Sequence, residues 1–351
     1  MRTFLNLWGP FALTAGLTLL LPAAGGDCPL DHYFVLQQDG QLAVDKRLIY
    51  RHGDPAEGYY PLSWSPIYQA WTVGEPGFCD TSDPEHGFPP EVMLEGTPNV
   101  DYQIWLEIVD LAADFCLRME DGTWLTSVGD RYNLSNLPEH HAHVRYYAFV
   151  PEDPPPERPF YVTCRLVDEL GPYGCTDPFV CVFNVPAAAV ETTSPRYRGL
   201  LAGTAHTQMS FRFHRPIAVT GGPPVTITDE QTHSHDYYTG YFDYAIVDDG
   251  LTLLLEQVGT PLPENEALEV ALTEFVRDAA ADRPAIPFTL FVATPILGDL
   301  DLDGDVDLAD LAQLLAHYRL PSGATYEQGD LDGDGDVDLS DLAMLLANYR
   351  A

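Results

Sequence analysis

The chain has 351 residues, of which 53 are acidic and 17 basic, giving a formal net charge of −36. A charge of that sign and size repels nucleic-acid phosphates and anionic membrane surfaces, so neither is expected as a partner. The length suits two or three domains rather than one.

At the N-terminus Arg2 is followed by the apolar run Phe11–Leu21 and the small residues Ala23-Ala24-Gly25-Gly26. This order predicts a secretory signal peptide over residues 1–26, cleaved near Gly25 or Gly26, and no transmembrane span follows it. Six cysteines lie beyond it, Cys28, Cys79, Cys116, Cys164, Cys175 and Cys181. In a secreted chain an even count predicts disulfides, with fifteen pairings open. The closeness of Cys164, Cys175 and Cys181 predicts at least one local bridge among them.

Residues 27–187 are rich in aromatics, Pro and Gly. Strand patterns fall at Tyr102–Val109, Val144–Val150, Phe160–Val167 and Phe179–Val185, which predicts a β-sandwich domain. The Pro-rich stretch Pro151–Pro159 reads as a stiff loop between two of these strands. Glu139-His140-His141-Ala142-His143 is a candidate transition-metal site. On a strand His141 and His143 share one face, opposite Ala142, Val144, Tyr146 and Ala148, with His52 or His86 as a third ligand. The competing reading is an exposed polar face continuing through Arg145. Trp64, Trp71, Trp105 and Trp124 are expected in the core rather than on a sugar ring.

Val185-Pro-Ala-Ala-Ala-Val-Glu-Thr-Thr-Ser-Pro195 marks a change in composition and predicts a linker. Alternation resumes at Thr207–Phe213, Val225–Thr228, Tyr241–Val247, Leu251–Glu256, Leu268–Leu272 and Phe288–Val292, with a turn at Asp248-Asp-Gly250. With Phe211–Thr220 and Phe275–Asp282, this pattern resembles a bacterial Ig-like domain over residues 188–297. His233-Ser-His235 lies in a turn-rich stretch between two of these strands.

The last part of the chain holds one pattern twice, 31 residues apart. Asp299, Asp301, Asp303, Asp305, Asp307 and Asp310 occupy positions 1, 3, 5, 7, 9 and 12 of a twelve-residue loop. Asp330, Asp332, Asp334, Asp336, Asp338 and Asp341 repeat them. Calcium takes six to eight oxygen ligands at about 2.3–2.6 Å, and such a loop supplies them from these positions, position 7 through its backbone carbonyl. Gly304 and Gly335 stand at position 6, where the chain turns sharply. Val306 and Val337, at position 8, are expected to pair the two loops through a short β-bridge. Each loop is followed by leucines at helical spacing, Leu311, Leu314, Leu315 and Tyr318, then Leu342, Leu345, Leu346 and Tyr349, which predicts one apolar stripe per helix. Neither loop has room for a helix before it.

Duplicated half-EF-hands with aspartate at position 12 resemble a type I dockerin domain over residues 298–351. The resemblance implies two Ca2+ ions and a cohesin-like or other surface protein as partner. Recognition in that family uses loop positions 10 and 11, here Leu308-Ala309 and Leu339-Ser340 in place of the frequent Ser-Thr pair.

The chain lacks a Gly-x-Ser-x-Gly elbow, a glycine-rich phosphate loop and a His-Glu-x-x-His helix. The expectation is therefore a mainly β, secreted, non-catalytic protein of two β-sandwich (Ig-like) domains and a small α-helical dockerin-like calcium-binding module. The alternative, implied by the resemblance, is a component of extracellular polysaccharide degradation, either a carbohydrate-binding or a glycoside-hydrolysing subunit.

Overall fold

The structure is a computed structural model that describes residues 32–349, except 39, 46–58, 75, 81–91, 137–140, 198, 202–207, 234–237, 239–240, 259–261, 263–265, 302–304, 322–323, 325 and 333. The expected signal peptide and Cys28 lie outside the described residues. Among these residues the fold is mainly β, in several sheets, with two short α-helices near the C-terminal end. No helix among the described residues is long and apolar enough to cross a membrane.

Three sheets build the first body. One orders His141–Ala142, Gly77–Asp80, His32–Gln38 and Gln41–Asp45. The second orders Ser63–Ser65, Ala70–Val73, Val144–Ala148, Phe115–Met119 and Trp124–Leu125. The third orders Phe179–Phe183, Phe160–Asp168, Ile104–Leu111 and Arg131–Asn133. Alternation decides what each strand buries: Ile104, Leu106 and Ile108 face a common core, while Trp105 and Glu107 take the other side. Aromatics fill that core. Tyr146 and Phe183 approach to 4.5 Å between ring centroids, and Phe115 lies 5.0 Å from Phe183. The Pro-rich stretch joins Val144–Ala148 to Phe160–Asp168 as the expected loop.

The second body has two four-stranded sheets and a three-stranded one. Val190–Ser194, Gln208–Phe213, Thr252–Gln257 and Phe242–Val247 form the first, and Gly199–Leu200, Thr289–Thr294, Glu266–Leu272 and Val225–Asp229 the second. Ile217–Val219, Val276–Asp278 and Arg283–Pro284 make the third. The turn at Asp248–Gly250 has positive φ at all three residues, which glycine and aspartate tolerate best.

The expected linker is instead packed structure. Ala187, Ala188 and Ala189 are buried, and Val190–Ser194 is an outer strand of the second body. The reason lies in the strand before it. Phe179, Cys181 and Phe183 point into the first core, whereas Val180 and Val182 belong to the second. Small alanines let the chain pass close to those valines, so the two cores share one strand. A flexible join would leave the Val180 and Val182 face wet.

Cys164, Cys175 and Cys181 form no bridge with one another, contrary to expectation. Cys164 and Cys181 are buried on neighbouring strands and offset by two residues in register, while Cys175 is exposed. Cys181 donates its thiol to Tyr33 Oη at 3.3 Å.

In the second body the fully buried Asp278 meets Arg215 Nε at 2.6 Å and accepts from the backbone N–H groups of Ala280 and Ala281. Burial opposes its charge, but Arg215 and the two N–H donors outweigh it and hold the carboxyl below its ordinary range. A depressed folded-state value adds stability above the unfolded pKa, and that stability is lost as pH falls through the folded one. Arg215→Ala strands a buried carboxylate and is expected to destabilise this body by about 3–5 kcal/mol at neutral pH. Urea melts at pH 7 and pH 3 check this, with the difference between variant and parent shrinking at the lower pH.

Candidate metal centre

The duplicated loops carry the chemistry, and their local geometry follows from aspartate. Its short side chain accepts from backbone N–H groups a few residues away, so an alternating Asp series folds back on itself. In the second loop Asp334 N–H donates to Asp332 Oδ1 (3.2 Å), Asp336 N–H to Asp334 Oδ1 (3.1 Å) and Gly335 N–H to Asp330 Oδ2 (3.1 Å). Gly335 takes φ of 92°, as position 6 requires.

The loop then runs directly into a helix. Asp307 caps Leu308–His317 (α1), and Asp338 caps Leu339–Asn348 (α2). Each cap side chain accepts a 2.6 Å bond from the N–H of residue 309 or 340. The aspartate at position 12 closes the capping box: Asp310 Oδ2 accepts from Asp307 N–H, and Asp341 Oδ2 from Asp338 N–H, both at 2.7 Å. Its other oxygen reaches the start of the loop. Asp310 Oδ1 accepts from Leu300 (2.5 Å) and Asp301 (3.2 Å), and Asp341 Oδ1 from Leu331 (2.8 Å) and Asp332 (3.2 Å). Both carboxylates are fully buried. Position 12 therefore ties the loop's first turn to the helix, and the shorter aspartate fits because the loop backbone comes to it.

Carboxylate oxygens gather in four trios, each with ligand atoms within 4.8 Å of one another. The first loop gives Asp299, Asp301 and Asp310, and also Asp305, Asp307 and Asp310. The second gives Asp330, Asp332 and Asp334, and also Asp336, Asp338 and Asp341. Eleven of the twelve expected ligands are thus brought together, and Asp303 lies outside the described residues along with Gly304. Position 7 enters by its side chain as well, which was not expected of a residue assigned to a backbone carbonyl.

The electrostatics are those of a site short of positive charge. The Asp332 carboxyl is pushed up by burial and by Asp341, Asp334 and Asp338. Asp336 is pushed up likewise, by burial and by Asp334, Asp338, Asp341 and Asp332. The two trios of the second loop therefore act as one charged cluster. Asp336 Oδ1 is buried and accepts no hydrogen bond. An all-oxygen donor set with an orphaned buried carboxylate oxygen fits a hard divalent cation, and calcium better than zinc, which draws on nitrogen and sulfur.

The two copies are assembled crosswise. Gly298, just before position 1 of the first loop, has φ of 99°, and a Cβ there would lie 3.2 Å from Leu345 Cα on α2. Gly329 precedes the second loop with φ of 105°, and its Cβ would lie 3.0 Å from Leu314 Cγ and 3.2 Å from Leu314 Cα on α1. Each loop thus begins against the other copy's helix. Sequence reasoning missed this pair. Its signal was a glycine preceding the first aspartate in both repeats. The shared core is Leu300, Val306, Leu314, Tyr326, Leu331, Val337 and Leu345.

Two expectations are corrected here. Val337 does not bridge to Val306: its N–H donates to Leu320 O (3.0 Å) and its carbonyl accepts from Arg319 N–H (2.7 Å). The strand-like partner is the segment leaving α1, which passes the second loop on its way out. The helix stripes also split. Leu314 and Leu345 are fully buried, while Leu315 and Leu346 are 51% and 52% exposed. A ten-residue helix packed against only one partner helix cannot bury so wide a stripe. The recognition positions Leu308, Ala309, Leu339 and Ser340 are all exposed. Among the described residues no helix leads directly into the first loop, and the 3₁₀ turn Tyr326–Gln328 leads into the second.

Outside this region the histidines among the described residues gather no comparable set. His143 is exposed, and His141 pairs by its backbone with Cys79 while its side chain lies outside the described residues, as do His52, His86 and His235. The face opposite His143 is buried as expected, through Ala142, Val144, Tyr146 and Ala148. His233 Nδ1 lies 3.0 Å from Glu269. Among the described residues, no histidine belongs to a cluster of three ligand-capable side chains.

Neither a family model nor a curated protein matches this chain. Two solved structures are similar over large parts of it. Drosophila N-cadherin EC1-3 is 10% identical and covers 77% of this chain and 91% of its own, with a TM-score of 0.20. The N-terminal Ig1-2 module of the Drosophila receptor protein tyrosine phosphatase DLAR is 12% identical and covers 52% and 84%, with a TM-score of 0.14.

Proposed function

We propose that this is a secreted, non-catalytic, calcium-binding modular protein whose C-terminal module attaches it to a protein partner. In this reading residues 1–26 direct secretion, residues 27–187 and 188–297 are β-sandwich domains, the second Ig-like, and residues 298–351 are a dockerin-like module. The supporting observation is that two equivalent carboxylate loops each end at an exposed apolar corner. Leu308 and Leu339 are 68% and 67% exposed, and Leu315 and Leu346 lie about two turns further along the same helices. Leucines left in water on a solvated helix are costly unless a partner covers them.

Bound calcium would supply the positive charge that the loops lack. Asp299, Asp301, Asp303, Asp305, Asp307 and Asp310 would hold one ion, and Asp330, Asp332, Asp334, Asp336, Asp338 and Asp341 the other. The protein's own part is positional. Asp310 and Asp341 fix the loop to the helix start, so ordering a loop also orders Leu308-Ala309 or Leu339-Ser340. Attachment thereby becomes calcium-dependent.

The test is capture on immobilised full chain, from the native secretome and from a panel of cohesin domains, with calcium and with chelator. A retained protein that is released by chelator and lost with Leu308→Asp/Leu339→Asp supports the reading. Retention unaffected by that double variant, or by chelator, refutes it.

A further inference from the structure

The outer face of the sheet containing Val144–Ala148 carries a feature that none of this uses. Arg145, Tyr147 and Phe149 project from one side of that strand, opposite the core residues Val144, Tyr146 and Ala148. Tyr147 is fully buried by rings around it: Trp124 at 4.9 Å, Tyr68 at 5.2 Å edge-on, and Phe149 stacked at 5.8 Å with planes 4° apart. Those three rings are themselves exposed, by 43%, 38% and 49%. Trp124 thus departs from the expected core position, and Trp64, Trp71 and Trp105 are only half-buried, Trp64 and Trp71 packing on each other.

Two guanidiniums lie on this platform, Arg118 over Trp124 (5.6 Å) and Arg145 over Tyr68 (5.7 Å). In so acidic a chain most arginines find a carboxylate: Arg131, Arg165 and Arg215 are each paired. Among the described residues Arg118 and Arg145 form no ion pair. A trough of about 420 Å³ opens between them, lined also by Tyr147, His143 and Glu120. Tyr147 Oη and Arg118 Nε border it, both buried, and the Arg118 guanidinium lies within hydrogen-bonding reach of the Tyr147 hydroxyl.

We propose that this face binds an acidic sugar, a uronic-acid unit within an oligosaccharide. The ligand must offer an anion to two guanidiniums that have no carboxylate partner among the described residues, hydroxyl groups to the tyrosine in the trough wall, and a flat C–H face to exposed rings. Those rings, of Trp124, Tyr68 and Phe149, lie beside the trough rather than in its wall. A uronate unit offers all three. Carboxylate recognition by paired arginines favours short charge-assisted bonds. Nucleic acid shares the charge but packs it far more densely than a uronate chain, which the repulsion from a net charge of −36 opposes more strongly. The inference does not depend on the calcium module.

The test is calorimetry on the full chain with a uronic-acid pentasaccharide and with its carboxyl-reduced neutral counterpart. The acidic ligand is expected to bind about tenfold or more tightly than the neutral one, with affinity falling as salt rises. Arg118→Gln, Arg145→Gln and Trp124→Ala are each expected to weaken it about tenfold while thermal melts stay within a few degrees of the parent. Equal binding of the two oligosaccharides, absence of binding by the folded parent, or unchanged affinity in folded Trp124→Ala and Arg118→Gln would overturn the proposal.

Discussion

Adding a calcium chelator to the full chain is expected to unfold residues 298–351 while both β bodies stay folded. Among the described residues the module buries only seven apolar side chains deeply. A segment of this length rarely supplies enough buried surface to fold alone, and natural domains of this size lean on metals or disulfides. Here the burden is heavier, because its twelve aspartates meet only two arginines, Arg319 and Arg350. Repulsion within the loops, already visible at Asp332 and Asp336, then goes unopposed. The helical far-UV signal of α1 and α2 should vanish in chelator and return with calcium, and limited proteolysis should cut beyond Leu297. The variant Asp341→Ala should do part of this even in calcium. It removes a ligand and leaves the N–H groups of Leu331, Asp332 and Asp338 without their acceptor, which costs on the order of 3 kcal/mol or more.

Gly329→Ala is the second large effect, at a residue that touches no metal. Its φ of 105° disfavours any side chain, and the added methyl would press on the backbone and side chain of Leu314. Strain and overpacking together are expected to cost on the order of 3 kcal/mol. Because Gly329 leads the second loop but packs on α1, both calcium sites should weaken, not one. Gly298→Ala should behave in the same way through Leu345. Gly40→Ala gives the comparison: its φ of 77° is strained, but nothing lies within 4 Å of the new methyl, so its effect should be smaller and leave calcium binding alone. Calorimetric titration of each variant, with thermal melts, separates the three.

The candidate site was legible in the sequence because its determinants are local. Ligand spacing, the position-6 glycine and the helix cap all fall within one loop, and repetition doubles the signal. Strands with clean alternation were legible for the same reason: Val225–Asp229 and Phe160–Asp168 lie within a residue of the expected segments. What stayed hidden depends on partners distant in the chain. Ala187–Ala189 read as a linker because alanine next to proline carries no pattern, yet they are buried in the same core as Val180 and Val182. The leucine stripe gave no sign that Leu315 and Leu346 would face outward, since periodicity marks a face but not whether a neighbour exists to cover it. Trp124 was assigned to the core on habit of its type, whereas a short edge strand beside Phe115–Met119 holds it at the surface. Short strands such as Ser63–Ser65 and Arg131–Asn133 are defined by their neighbours and carry too few residues to alternate.

Isothermal titration of the metal-stripped full chain with calcium tests the central claim most directly. The account predicts two sites per chain, with heat of folding accompanying their filling and both lost in the Asp310→Ala/Asp341→Ala double variant. A flat titration, or one unchanged in that variant, would contradict it.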